Sequence, residues 1–180
     1  ATDDPAVITA QVEMGDVTAL PEPAGWSSLG CNPDRPVAHL SMGNPHSVVG
    51  VDEVAVVDLV DLGAKVPQVN LEIIEPGPES NAVTMRVHER GAGITAACGT
   101  GACAAAFAAR SWGLVPATAP EVVVHMDVGF CEHGTQPLFD HAVEGVGGAS
   151  RPIKPDLRHL GCNAGNFGMG AQFLLHNLGR

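Results

Sequence analysis

Tyrosine is absent, and five phenylalanines and two tryptophans supply all the aromatic rings of the 180-residue chain. That leaves few platforms on which a nucleic-acid base could stack. Basic residues are also scarce: nine Lys and Arg stand against 20 Asp and Glu, a formal net charge of −11. Such a balance excludes nucleic acid and anionic membrane surfaces as partners. No apolar run reaches the roughly 20 residues of a membrane span. The opening ATDDPAV lacks the basic region and apolar core of a secretory signal, so the cytoplasm is the expected location. The five cysteines are odd in number and scattered, which excludes a sealed disulfide framework, and they are expected to stay reduced. Zinc is not expected either. Cys98 and Cys103 lack the short-hairpin spacing, and Cys131, His133, His159 and Cys162 could be joined only through an arbitrary loop.

What the chain does have is apolar bulk, 45% of its residues, enough for one domain or a domain with an appendage. Val7–Met14 alternates in polarity and reads as a half-buried strand, and the turn-forming Pro21–Asp34 reads as a loop that holds Cys31, a small half-buried thiol. Val37–Met42 and Ser47–Val51 are short strands around the Gly43-Asn44-Pro45-His46 turn, which projects Asn44 and His46 from strand ends. Asp52–Leu62 fits a short packing helix, with Asp52 as its cap and Gly63 as its stop. Val66–Ile74 is a further strand, with Val69, Leu71 and Ile73 on one face and Asn70, Glu72 and Ile74 on the other. Taken alone, Asn70 fits an edge amide facing solvent as well as a functional one. After the turn at Glu75–Asn81, Ala82–His88 alternates again and delivers Glu89 and Arg90 to a glycine-rich bend.

The most informative stretch follows from there: His88–Ala106, HERGAGITAACGTGACAAA. Gly99-Thr100-Gly101 opens into alanines, strong helix formers, and the helix is expected to run to about Trp112, before Gly113 and Pro116. It is apolar on nearly every side and therefore buried. Cys98 falls at its N-terminus, where the dipole and unpaired N–H groups favour a thiolate and can hold a carboxylate. Glu121–Met126 is a last clear strand. Beyond Asp127 neither structural period persists, and only Ala171–Leu178 suggests a short terminal helix. Strands around one all-apolar helix predict an α+β fold, a mostly antiparallel curved sheet wrapped around a central alanine-rich helix.

These residues resemble diaminopimelate epimerase, a family of cofactor-independent amino-acid epimerases with two cysteine bases. The resemblance rests on GNPH at Gly43–His46, VNLEII at Val69–Ile74 and the long motif at His88–Ala106, with WGLVP and VVHMD following in place. It covers about Val7 to Asp127 and implies the second of the family's two domains. Residues 1–127 are thus expected to form that domain, and 128–180 an atypical tail. Position by position, Cys98 resembles the second catalytic cysteine, and Gly99 and Thr100 the backbone donors to the substrate's α-carboxylate. Asn44 and Asn70 resemble the asparagines that hold the distal end of the substrate. Glu89 and Arg90 resemble the pair that binds its charged groups, and His46 and Glu89 the residues that adjust cysteine protonation.

The implied reaction inverts one α-carbon of L,L-2,6-diaminopimelate to the meso form, towards lysine and peptidoglycan precursors. It uses no cofactor and no metal, and a homodimer is expected for the full-length protein. Two departures stand out. The asparagine-glycine-x-arginine-cysteine segment that carries the other cysteine does not occur, and Val128–Arg180 does not resemble the family's closing strands. The Gly63–Asn70 stretch is also shorter than usual. The chain alone is therefore expected to show no epimerase turnover. A proline-racemase-like enzyme and a non-catalytic binding domain of the same fold are the alternative readings.

Overall fold

The computed structural model describes residues 10–126, 160–167 and 170–177. Its strands are β1 (Ala10–Glu13), β2 (Thr18–Ala19), β3 (Val37–Ser41), β4 (Pro45–Gly50), β5 (Asn70–Pro76), β6 (Ala82–Glu89), β7 (Gly93–Ile94), β8 (Glu121–Met126), β9 (Leu160–Phe167) and β10 (Gly170–Asn177). They form a single sheet in the order β1-β9-β10-β8-β6-β5-β4-β3-β2, with β7 paired to β6. Two neighbouring pairs are parallel, β4 with β5 and β6 with β8; the others are antiparallel. A parallel pair needs a crossover. Helix α1 (Leu59–Lys65) lies in the first crossover and α2 (Gly99–Trp112) in the second.

The helices divide the core between them. On the α2 side, Ala102–Ala106, Ala108 and Ala109 pack with Val48, Ile74, Val83, Met85, Val87, Val122 and Val124. On the α1 side, Leu59, Leu62 and Val66 pack with Val49, Val51, Leu71, Ile73 and the loop residues Trp26 and Leu29. Adjacent residues such as Ile73 and Ile74 thus enter different clusters, as the two-residue period of a strand requires. Alanine lets α2 lie close to β3, β4, β5, β6 and β8, and every residue of Gly101–Ala106 is buried. The architecture is α+β, a mixed sheet with two helices. No helix among the described residues is long and apolar enough to cross a membrane.

Several sequence expectations shift. The Pro21–Asp34 loop contains a 3-10 turn at Trp26–Leu29. Asp52 caps no helix; it accepts a bond from Arg35 Nη2 at 2.7 Å, while Asp58 Oδ1 caps α1 by accepting from Asp61 N–H at 3.1 Å. Gly63 sits inside α1 instead of ending it, and a Cβ there would come within 2.1 Å of the His88 ring. Strand β5 begins at Asn70, after a turn through Pro67, so Asn70 is buried inside the sheet, at 4% exposure. The helix expected at Ala171–Leu178 is instead the strand β10, antiparallel to both β8 and β9. Pairing with a strand on either side lets ladder hydrogen bonding override the local helix preference of residues such as Leu174 and Leu175.

Candidate active site

Cys98 is the N-cap of α2, in extended conformation, with its sulfur 3.3 Å from the Gly101 N–H that donates to it. The first-turn N–H groups of Gly99 and Thr100 have no acceptor within the helix, so they form an oriented donor pair beside that sulfur. The dipole alone would favour a thiolate. Burial is the stronger effect: Cys98 is only 6% exposed, and its thiol is pushed up to about 11. Hydrogen bonds from Gly101 N–H and with Thr100 pull it down, and the charges of Glu72 and Glu89 push it up again. At neutral pH the resting form is therefore the thiol. This corrects the thiolate expected from helix position alone, and the cause is desolvation that only tertiary packing reveals.

A line of polar contacts leads away from the sulfur. Thr100 Oγ1 lies 3.7 Å from Cys98 Sγ, and Asn44 Nδ2 donates to that hydroxyl at 3.3 Å. Asn44 Oδ1 is 2.9 Å from His46 Nε2, and His46 Nδ1 is 2.6 Å from Glu72 Oε1. The β3–β4 turn supplies Asn44, β4 supplies His46 and β5 supplies Glu72. His46 and Glu72 are both fully buried. Gly101 makes this convergence possible. A Cβ on it would stand 2.9 Å from Glu72 Oε1 and 3.0 Å from Cys98 Sγ, closer than carbon tolerates.

The other anticipated residues gather at the neighbouring end of β5 and β6. Asn70 Oδ1 accepts from the Arg90 backbone N–H at 2.8 Å, tying the bend after β6 to the start of β5. Thr95 Oγ1 donates to Glu89 Oε1. Arg90 itself is exposed. The structure thus joins Asn44, His46, Thr100 and Cys98 in one chain and Asn70, Glu89 and Arg90 in an adjoining group. Cys31 lies apart, lining an open cleft of about 540 Å³ with Trp26, Arg35 and His39, and burial raises its thiol. Among the described residues no group of three or more His, Cys, Asp or Glu is placed to hold a metal ion. Glu72 is the participant that sequence reasoning passed over. The available signal was a lone carboxylate in the middle of an aliphatic strand, on the face shared with Asn70.

The chain is similar to several known proteins. The chain is 50% identical over 84 residues to a diaminopimelate epimerase of Pseudomonas entomophila, covering 43% of this chain and 30% of that one. It is 49% identical over 75 residues to one from Phocaeicola vulgatus, covering 38% and 26%. With the Rhodospirillum centenum enzyme the match is 40% over 118 residues, 57% and 40% of the two chains. These matches span well under half of each relative's length. Among solved structures, a phenazine biosynthesis protein of the PhzF family from Bacillus anthracis superposes with a TM-score of 0.45 at 9% identity, over 94% of this chain and 57% of that one. Residues 38–136, more than half of the chain, match the family described as diaminopimelate epimerase. That match starts later than Val7 and runs past Asp127; by it, the chain belongs to the diaminopimelate epimerase family.

Proposed function

We propose that this chain supplies one face of a cofactor-independent epimerase site that inverts an α-carbon of L,L-2,6-diaminopimelate. The observation that carries the reading is Cys98 at the start of α2, beside the first-turn N–H groups of Gly99 and Thr100, which have no acceptor within the helix. An amino-acid α-proton is far less acidic than any side chain, so the developing carbanion needs electrostatic stabilisation. The two N–H groups and the helix dipole provide it at the α-carboxylate. Inversion also needs a base on one face of the carbon and an acid on the other, with matched pKa. Cys98, protonated at rest, is the acid: its S–H delivers a proton to the carbanion, and the resulting thiolate accepts the Gly101 N–H bond.

In this reading Asn44 and Asn70 hold the distal amino-acid end, Glu89 and Arg90 bind charged groups, and His46 and Glu89 adjust the protonation of Cys98. Residues 1–127 act as the second of two domains and 128–180 as a segment that departs from the family pattern. The full-length protein is a cytoplasmic homodimer. The opposing base is a second cysteine outside the sequence motifs found here, so the chain alone turns over no substrate.

The test is calorimetry of the purified chain with L,L-diaminopimelate and, separately, with L-proline. Binding of diaminopimelate but not proline, weakened at least tenfold in Arg90→Ala, is the expected result. Arg90 is exposed, so its removal leaves folding intact. Absence of diaminopimelate binding, or equal binding of proline, would overturn the reading, as would conversion of L,L to meso substrate by the chain alone if that conversion disappears in Cys98→Ala.

A further inference from the structure

Glu72 is the most deeply buried carboxylate of the site, and none of the roles above uses it. Its neighbours across the sheet, Val48 on β4 and Val87 on β6, are both 0% exposed. Oε1 meets His46 Nδ1 at 2.6 Å, and Oε2 is buried with no hydrogen-bond partner. A bare carboxylate oxygen in an apolar wall strongly disfavours charge on the group. The ionisable groups around it are His46 on β4, Glu89 at the end of β6 and Cys98 at the start of α2.

The bond directions follow from the geometry. Asn44 Nδ2 donates to Thr100, so Asn44 Oδ1 faces His46 and must accept; His46 Nε2 therefore carries a hydrogen. One further proton lies between His46 Nδ1 and Glu72 Oε1. With it in place, every donor in the line points the same way: Nε2–H to Asn44, the Asn44 amide to Thr100, and the Thr100 hydroxyl to Cys98 sulfur. We propose that Glu72 is a positioning residue for Cys98, holding a proton on the buried His46 pair so that the His46–Asn44–Thr100 chain aims its last O–H at the sulfur.

Loss of that proton to solvent leaves the carboxylate facing an imidazole lone pair. The imidazole relieves this by moving its remaining hydrogen to Nδ1. Nε2 then becomes an acceptor, the Asn44 amide turns over to donate to it, and Thr100 gives its O–H to Asn44 Oδ1. The oxygen of Thr100 is left as an acceptor for Cys98 S–H. One proton at Glu72 thus decides whether the chain supports the thiolate or the thiol. The negative charge left on Glu72 acts in the same direction, and burial pushes the Glu72 carboxyl up to about 7, inside the working range of a cytosolic enzyme.

This proposal rests on the epimerase reading for its purpose, yet its test needs no substrate. The rate of iodoacetamide labelling of Cys98 is followed from pH 5 to 10 on the full chain, with each cysteine resolved by peptide mass. Wild type is expected to show a shoulder: a rise with pH, a flattening from near pH 7, then a second rise. In Glu72→Gln the amide donates permanently to His46 Nδ1, so the shoulder disappears and labelling at pH 9 is about tenfold faster, one pKa unit of relief. Thr100→Val cuts the last link and should shrink the shoulder while His46–Glu72 stays intact. Cys103, fully buried on α2, reports opening of the fold. If it labels together with Cys98 in Glu72→Gln, the Thr100→Val profile decides. A shoulder that survives in a folded Glu72→Gln chain, or is unchanged in Thr100→Val, overturns the proposal. Failure of diaminopimelate binding would overturn the epimerase reading and leave this wiring standing.

Discussion

The two faces of the sheet bury polar groups in opposite ways. On the α1 face, Arg86 is 5% exposed, and its Nη1 donates to the carbonyls of Val54 and Val57 at 2.8 and 3.1 Å. Arg35, 7% exposed, donates to the Gly50 carbonyl at 3.2 Å and to Asp52 at 2.7 Å. A guanidinium is a fixed cation, and these two end on backbone oxygens or a surface carboxylate. On the α2 face the ionisable side chains His46, Glu72 and Cys98 are buried and joined side chain to side chain through the Asn44 amide and the Thr100 hydroxyl. One face uses permanent charge to fasten the crossover that carries α1. The other keeps exchangeable protons against a helix start. The difference shows which polar burial serves shape and which serves chemistry.

Arg86→Met would break the first half of that comparison and should have the largest effect on stability. Methionine fills the apolar volume but leaves the carbonyls of Val54 and Val57 without their donor. Removing one side of a buried charged contact costs on the order of 3 kcal/mol. Thermal unfolding should show a midpoint lowered by about 10 °C for a domain of this size. The Cys98 labelling profile should keep its shape at temperatures where the variant is folded. A profile that moved would mean that the faces are not separable.

A middle-sized effect belongs to the α2 face and sharpens the comparison through pH. Burial, partly offset by His46, raises the Glu72 carboxyl from its ordinary 4.5 to about 7 in the folded chain. The unfolded chain therefore releases this proton first as pH rises, and the folded chain holds more protons across that window. Stability contributed by Glu72 is present below about 4.5, falls between there and about 7, and stays lower above. Glu72→Gln has no such proton. Denaturant titrations should show it gaining on wild type by about 1–3 kcal/mol between pH 4.5 and 7.5. A constant difference across that range would show that Glu72 does not titrate there.

The same contrast explains what could be read from the residues alone. Helix α2 was legible from alanine content and from Gly113, its C-cap, and β8 from Glu121–Met126, because each signal is local. The GNPH turn and its flanking strands were legible for the same reason, with Asn44 and His46 at a strand end. Glu72 was not. Strand β5 is covered on both faces, so alternation no longer separates inside from outside, and a carboxylate beside Asn70 carries no mark of which wall it enters. The protonation of Cys98 was half legible. Its place at a helix start follows from sequence, but the burial that outweighs the dipole comes from strands far along the chain. The start of α1 was not legible because aspartates recur at 52, 58 and 61, and packing of Leu59 and Leu62 selects Asp58 as the cap.

Asp58→Ala should have the smallest effect and tests whether the α1 face depends on Arg86 or on its helix. Asp58 Oδ1 accepts the Asp61 N–H at the exposed start of α1, and losing such a cap costs about 0.5–1 kcal/mol. A helix of seven residues has little stability of its own, so α1 is held by Leu59, Leu62 and Val66 in the core and by the crossover that Arg86 fastens. Chemical denaturation of Asp58→Ala should accordingly show a small drop in midpoint with an unchanged slope, and Cys98 labelling should follow the wild-type curve at every pH. A loss as large as that of Arg86→Met would mean that the local cap, and not the buried guanidinium, sets the position of α1. The α1 face would then owe its order to a surface interaction, and permanent buried charge would no longer distinguish it from the face that holds the thiol.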